Sequence, residues 1–126
     1  MSQEVREVVE IVDRGTHLEA RFLGKFSVRR FLSQLAEVIE AGQASGRKLV
    51  LLDATALEGP LSLVDRYEIG SQGARMAWGL RVAVLSSAEL VDPRKMGVLV
   101  ARNRGLDIEL FLTQEEALSW LLTPRD

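Results

Sequence analysis

The chain has 126 residues, of which 47% are apolar and 27% charged, and its formal net charge is −2. This composition predicts one globular domain, residues 1–126, and excludes disordered and membrane-spanning classes. Since 16 basic residues are balanced by 18 acidic ones, we expect no long-range attraction to nucleic acid or anionic lipid. The absence of cysteine excludes disulfides, thiolate nucleophiles and thiolate metal ligands.

The start of the chain predicts a β-hairpin. A strand from Val5 to Val12 is followed by the turn Asp13-Arg14-Gly15 and by a second strand from Thr16 to Gly24. Apolar and polar residues alternate along the second strand, which predicts a sheet with one solvated face in this region. The first seven residues contain no apolar signal core, so we expect a cytoplasmic protein.

The clearest amphipathic helix follows the hairpin. Ser27 is a suitable N-cap, and apolar residues recur at helical spacing from Val28 to Ile39. Gly42 and Gly46 end this helix.

The middle of the chain predicts a buried strand and a helix rich in glycine. Lys48 to Asp53 is apolar at every position between its charged ends, as in a strand buried on both faces of a parallel sheet. Leu63 to Trp78 is the next helix, in which Gly70 and Gly73 each cost about 1 kcal/mol relative to alanine. Two explanations remain open: close packing of helix on sheet, or a break near Gly73.

The last third of the chain predicts two further strand-helix units. Arg81 to Ser86 is a third buried strand, and Asp92-Pro93 provides an N-cap and a first helical residue for a helix that reaches Arg104. Asp107 to Leu112 is the final strand, and the capping box Thr113-Gln-Glu-Glu116 opens the final helix.

The order β-β-α-β-α-β-α-β-α predicts an α/β fold with a mixed, mostly parallel sheet. Strands added in sequential order leave no reversal of strand order, so the fold lacks the ligand crevice of a doubly wound sheet.

This layout resembles the STAS domain, the fold of SpoIIAA-like anti-sigma-factor antagonists, and the chain is similar to small stand-alone bacterial proteins of the STAS/SEC14 (SpoIIAA-like) group. The resemblance covers nearly the whole chain. The stretches that carry it are Val50-Leu-Leu-Asp53, Asp65-Arg-Tyr67, Leu80-Arg-Val-Ala-Val84, Asp92-Pro93, Ala101-Arg-Asn-Arg-Gly105 and Glu116-Ala-Leu-Ser-Trp-Leu121.

The resemblance implies a regulatory module that binds a protein partner. In the phosphorylatable antagonists, a serine lies between an acid and a glycine at the start of the helix after the central strand. Ser62 falls near this place, but the acid and the glycine are missing. SEC14-type relatives enclose lipid, but they are larger and have helices that this chain lacks.

Five residues are candidates for contact with a partner or ligand. Ser62 is also a plausible N-cap, and a phosphate there would meet the positive end of the helix dipole. Tyr67 is expected in the core with its hydroxyl at the surface, and Arg66 is expected to pair with Asp65 or another carboxylate. Asp53 and Ser86 end buried strands and either share a polar site with Thr55 and Ser87 or bind loop amides.

The sequence argues against an enzyme. The single histidine, His17, lies among charged residues on an alternating strand and is expected at the surface. It is far in sequence from every serine that could complete a triad, and one histidine without cysteine gives too few ligands for zinc. Cations on and after the third helix fit a solvated face better than a phosphate or nucleic-acid patch. We therefore expect no catalytic residue, no metal and no cofactor.

Two functions follow as hypotheses. The first is a non-catalytic protein-interaction module that presents Ser62, Arg66 and Tyr67, with Asp53 supporting the loop. The second is a carrier or sensor for a small apolar or anionic ligand, lipid-like, held between the sheet and the helix around Gly70. Homodimer formation is plausible through an open face of the sheet.

Overall fold

The computed structural model describes residues 9–124. Within this range, five strands form the main sheet, and amphipathic segments form helices against it. The strands are β1 (Val9–Asp13), β2 (Leu18–Phe22), β3 (Gly24–Lys25), β4 (Leu49–Asp53), β5 (Leu57–Glu58), β6 (Arg81–Leu85) and β7 (Asp107–Phe111), and the helices are α1 (Val28–Ser45), α2 (Leu63–Met76), α3 (Met96–Asn103) and α4 (Gln114–Leu122).

The main sheet has the predicted mixed topology within residues 9–124. Its strand order is β1-β2-β4-β6-β7, in which β1 pairs antiparallel with β2 and all other pairs are parallel. The sequential order without reversal is confirmed. A short parallel pair of β3 with β5, which the sequence analysis missed, lies outside this sheet. The part of the predicted first strand before Val9 lies outside the described residues.

Helices cover the two faces of the sheet unequally. The larger core lies on one face and includes Phe22 of β2, Leu35 and Val38 of α1, and Ala74 of α2. The three helices that connect parallel strands share this face, as expected for right-handed crossovers that always advance in the same direction. Helix α4 follows the last strand, and its Leu121 packs with the smaller core on the opposite face.

Helix ends follow the sequence in most places. Ser27 accepts a hydrogen bond from the amide of Arg30, and Gly46 ends α1 with a φ of +74°, a left-handed conformation that glycine adopts without steric cost. Thr113 caps α4 by accepting a hydrogen bond from the Glu116 amide.

The start of α3 differs from the prediction. The helix begins at Met96, not at Pro93, and the left-handed Lys95 precedes it. The carboxylate of Asp92 accepts hydrogen bonds from the amides of Arg94 and Met96 and so holds a turn before the helix. Asp92 therefore caps the turn that precedes α3 and is not the N-cap of α3 itself.

The position of His17 was predicted wrongly. Its side chain is only 5% exposed, because it lies in the bend before β2 and not on the solvated face of the strand. Its Nδ1 lies 2.8 Å from the Thr16 hydroxyl, and its buried Nε2 has no hydrogen-bond partner within the described residues.

Candidate functional site

The first turn of α2 is fixed by a complete capping box. Ser62 Oγ accepts a hydrogen bond from the Asp65 amide at 3.0 Å, and the Asp65 carboxylate accepts one from the Ser62 amide at 3.0 Å. The Ser62 side chain is exposed. Ser62 therefore caps the helix as predicted and remains open to solvent.

Three large apolar side chains are exposed just after this cap. Leu63 is 48% exposed, Val64 is 73% exposed and Tyr67 is 51% exposed. We call Ser62, Leu63, Val64 and Tyr67 the α2 surface. The expectation that Tyr67 belongs to the core is wrong: its hydroxyl accepts a hydrogen bond from Arg104 at 3.1 Å, and the Arg104 guanidinium lies 5.8 Å from its ring centroid. Leu63 and Val64 were not among the predicted contact residues, although two adjacent apolar residues at a helix start cannot both face the core.

Arg66 points away from this surface. Its guanidinium donates a hydrogen bond to the carbonyl oxygen of Leu90 at 2.7 Å, and the side chain is half-buried. The expected pairing with Asp65 is not present, because Asp65 is engaged in the capping box. Arg66 instead connects α2 to the loop before α3.

Asp53 and Ser86 do not form a shared polar site. Asp53 Oδ1 accepts hydrogen bonds from the amide and the hydroxyl of Thr55. This is the second of the two predicted alternatives, in which Asp53 binds a loop amide. Ser86 is buried and its hydroxyl donates to the Ser87 carbonyl. Side chains alternate between the faces of a sheet, and the neighbouring Leu52 and Leu85 pack in opposite cores, so Asp53 and Ser86 lie on opposite faces.

A cavity of about 140 Å³ lies between the sheet and α2. Its floor includes Val82 and Val84 of β6, and α2 contributes Gly70, Gly73 and Ala74 to its wall. A side chain at Gly73 would meet only Leu35, whereas Gly70 lies against the backbone of Gly97 and admits no side chain. Apart from Arg66, Ser86, Asp92 and Lys95, every residue that lines the cavity is apolar or glycine.

The charged residues of the cavity lie on α2 and just before α3. Lys95 is exposed, whereas Arg66 and Asp92 are half-buried, so the cavity reaches solvent beside Lys95. The amide of Met96, then the amide of Arg94 and the charges of Arg66 and Arg94 lower the pKa of the Asp92 carboxyl against the opposing effect of burial. Asp92 is therefore ionised at neutral pH.

Within residues 9–124, no three histidine, aspartate or glutamate side chains come together as a possible metal site. No helix in the same range is long and apolar enough to cross a membrane.

Two solved structures share this architecture along almost their entire length. One is an uncharacterised protein of the DUF3478 family with a SpoIIAA-like fold from Shewanella loihica PV-4; it is 22% identical, the TM-score is 0.59, and the match covers 96% of this chain and 98% of that one. The other is an anti-sigma factor antagonist from Mycobacterium paratuberculosis, which is 16% identical with a TM-score of 0.63 and the same coverage, 96% and 98%. No family model and no curated protein matches the sequence.

These likenesses define a SpoIIAA-like fold, the fold of STAS domains. The fold class predicted from the order of strands and helices is confirmed.

Proposed function

We propose that this protein is a non-catalytic regulatory module that binds a protein partner through the α2 surface. The observation that carries the proposal is the exposure of Leu63, Val64 and Tyr67 together at the start of one helix. The similarity in fold to an anti-sigma factor antagonist, a protein that acts in regulation, supports it.

The α2 surface is held rigidly, which favours binding. The capping box fixes the first turn of α2. The Arg66 guanidinium donates a hydrogen bond to the Leu90 carbonyl on the other side of the helix. A surface that is already ordered loses less conformational entropy when a partner docks. Tyrosine is also well suited to such contacts, because its ring is large and carries a hydroxyl.

The proposal is tested by native mass spectrometry of the protein isolated gently from its host. We expect a second polypeptide in complex with the wild type and its loss from a Val64→Ser/Tyr67→Ser variant. The matched control is Leu112→Ser, since Leu112 is also 51% exposed but lies just after β7, outside the α2 surface. A partner retained by the double variant, or lost equally from the control, would show that the α2 surface is not the binding site.

The same experiment addresses Ser62 and the oligomeric state. A phosphate-sized mass increment on the peptide that contains Ser62 would support a phosphorylation switch, and a Ser62→Glu variant would then alter partner binding. Because Ser62 is an N-cap, the added phosphate would lie at the positive end of the helix dipole. A mass of two chains would support the homodimer, which stays a prediction, as do a cytoplasmic location and the absence of nucleic-acid binding.

A second function, a carrier or sensor for a small apolar or anionic ligand, is favoured by one observation. The cavity lies between the sheet and α2 around Gly70 and Ala74, where this hypothesis requires a ligand. Thermal stabilisation by members of a library of small apolar and anionic compounds would support this function, and a flat response would refute it.

A further inference from the structure

The size of the cavity limits what it can hold. Its volume is about 140 Å³. An engineered apolar cavity of about 150 Å³ in another protein stays dry and binds benzene or xenon. The space behind α2 therefore matches a group of about six carbon atoms, such as an aromatic ring, and is too small to enclose a long acyl chain.

The charged groups at the cavity give it a net positive character. Arg66 and Lys95 carry two positive charges and Asp92 carries one negative charge. The Asp92 carboxylate already accepts hydrogen bonds from the amides of Arg94 and Met96. Neither Arg66 nor Lys95 forms an ion pair with another described residue.

Arg66 has donors left for a ligand. One of its terminal nitrogens donates to the Leu90 carbonyl, and the guanidinium group has five N–H donors in all. An arginine fork matches the two oxygens of a carboxylate, and such charge-assisted hydrogen bonds are about twice as strong as neutral ones. The half-buried position of Arg66 strengthens them further, because water screens them less.

We propose that the cavity binds a small apolar carboxylate, with its ring or branched tail against Val84 and Ala74 and its carboxylate on Arg66, assisted by Lys95. This inference rests on the second function proposed above and names the chemical class of its ligand. The proposed ligand contacts differ from those of the α2 surface, since Arg66 lines the cavity while Val64 and Tyr67 are exposed to solvent.

Three probes of nearly equal shape separate the contributions of the tail and the charge. Benzoate, benzyl alcohol and benzylamine are titrated separately into the purified full-length protein, and binding is measured by calorimetry and by shifts of methyl resonances. We expect benzoate to bind about tenfold more tightly than benzyl alcohol, and benzylamine to bind most weakly. The methyl resonances of Val84 and Met96, both lining the cavity, are expected to shift with benzoate.

Two variants locate the site. Arg66→Met is expected to remove most of the preference for benzoate over benzyl alcohol, since only Lys95 then remains as a cation, without affecting the alcohol. Ala74→Leu places a larger side chain in the cavity and is expected to abolish binding of all three probes. Its matched control is Gln72→Leu, which adds the same side chain on the exposed side of the same helix and is expected to bind like the wild type.

The outcomes distinguish the two proposals. Equal affinity for the three probes, or a preference for benzylamine, would overturn the inference of an anionic ligand and leave the carrier or sensor function in place. Failure of all three probes to bind the wild type, or to shift the Val84 and Met96 resonances, would overturn both. If Ala74→Leu does not fold, the methyl shifts in the wild type still decide the location.

Discussion

Gly70 of α2 lies directly against the backbone of Gly97 in α3. A Cβ atom placed on Gly70 would lie 2.3 Å from the carbonyl oxygen of Gly97, closer than such atoms approach in real structures. The two glycines thus let the helices cross in backbone contact. The sequence predicts close packing of helix on sheet at Gly70, whereas the contact is between two helices. The alternative of a break near Gly73 is wrong, because α2 is continuous from Leu63 to Met76.

Gly70→Ala is therefore expected to destabilise the protein by about 2 kcal/mol or more, because the helices must separate to admit the methyl group. Gly73→Ala is the matched control in the same helix. A Cβ there meets only the Leu35 Cδ2 atom at 3.6 Å, an ordinary contact, so helix propensity dominates and stability should rise by up to about 1 kcal/mol. Urea unfolding measures the free energy of unfolding of both variants. Equal effects of the two substitutions would contradict the crossing at Gly70.

Ser62→Ala is expected to lower the free energy of unfolding by about 1 kcal/mol, because the Asp65 amide loses its acceptor at the helix start. Ser62→Asn should stay close to the wild type, since asparagine is an equally good N-cap. Thr113→Ala at α4 provides a comparison, because the Thr113 hydroxyl also accepts a hydrogen bond from the third amide of its helix. Chemical denaturation of the three variants tests this. An unchanged stability of Ser62→Ala would show that the Ser62 hydroxyl contributes nothing to the stability of the helix start.

Burial of His17 predicts a dependence of stability on pH. Burial lowers the pKa of His17 from its ordinary value of 6.5; Glu19 opposes this shift, Arg14 reinforces it and Asp13 opposes it. A histidine with a lowered folded-state pKa contributes its full stability above the unfolded-state value. That contribution is lost as the pH falls below about 6.5 towards the folded-state pKa, because the unfolded state binds the proton more tightly.

The free energy of unfolding should therefore fall between about pH 7.5 and about pH 5.5 in the wild type and stay more nearly constant in His17→Gln. His17 is the only histidine, so no other imidazole contributes to the difference. Urea titrations at the two pH values provide the measurement. Parallel changes in both proteins would mean that His17 protonates as easily in the folded as in the unfolded chain.

The fold could be predicted because local signals agree with the sheet. The apolar run of β4, the spacing in α1 and the caps Ser27, Ser62 and Thr113 each lie where the pattern indicates. Such agreement between propensity, pattern and caps is what makes a topology recognisable from a single sequence.

The candidate functional site was less predictable than the fold, because it depends on the direction in which individual side chains leave a helix or a turn. Tyr67 shares its stripe with Gly70 and Ala74 in the sequence, but the close approach of α3 leaves no room for a ring on the inner side. In the sequence, His17 fits the polar side of the alternation along β2. The strand begins only at Leu18, however, so the alternation does not determine where the His17 side chain lies. The stretch of small residues around Gly70 indicates the place of the cavity, but the lining comes from several elements whose joint placement no local pattern encodes.

Arg81, the first residue of β6, joins α4 to the sheet, and its removal should loosen that helix. Its guanidinium donates to Asp107 at 3.0 Å and to the carbonyl of Trp120 at 2.6 Å, and it stacks 3.8 Å from the Trp120 ring centroid. The side chain is only 12% exposed, so these interactions are weakly screened. Arg81→Met keeps the apolar stem but removes all three interactions.

We expect Arg81→Met to cost about 2–3 kcal/mol, because it also leaves the Trp120 carbonyl and Asp107 without this donor. Arg47→Met is the control, since Arg47 pairs with Asp13 at 2.9 Å at a more exposed position and should cost at most about 1 kcal/mol. Hydrogen exchange in α4, measured alongside urea unfolding, locates the effect. The α4 amides should exchange faster in Arg81→Met and remain protected in Arg47→Met, and equal protection in both would refute the role of Arg81 in holding α4.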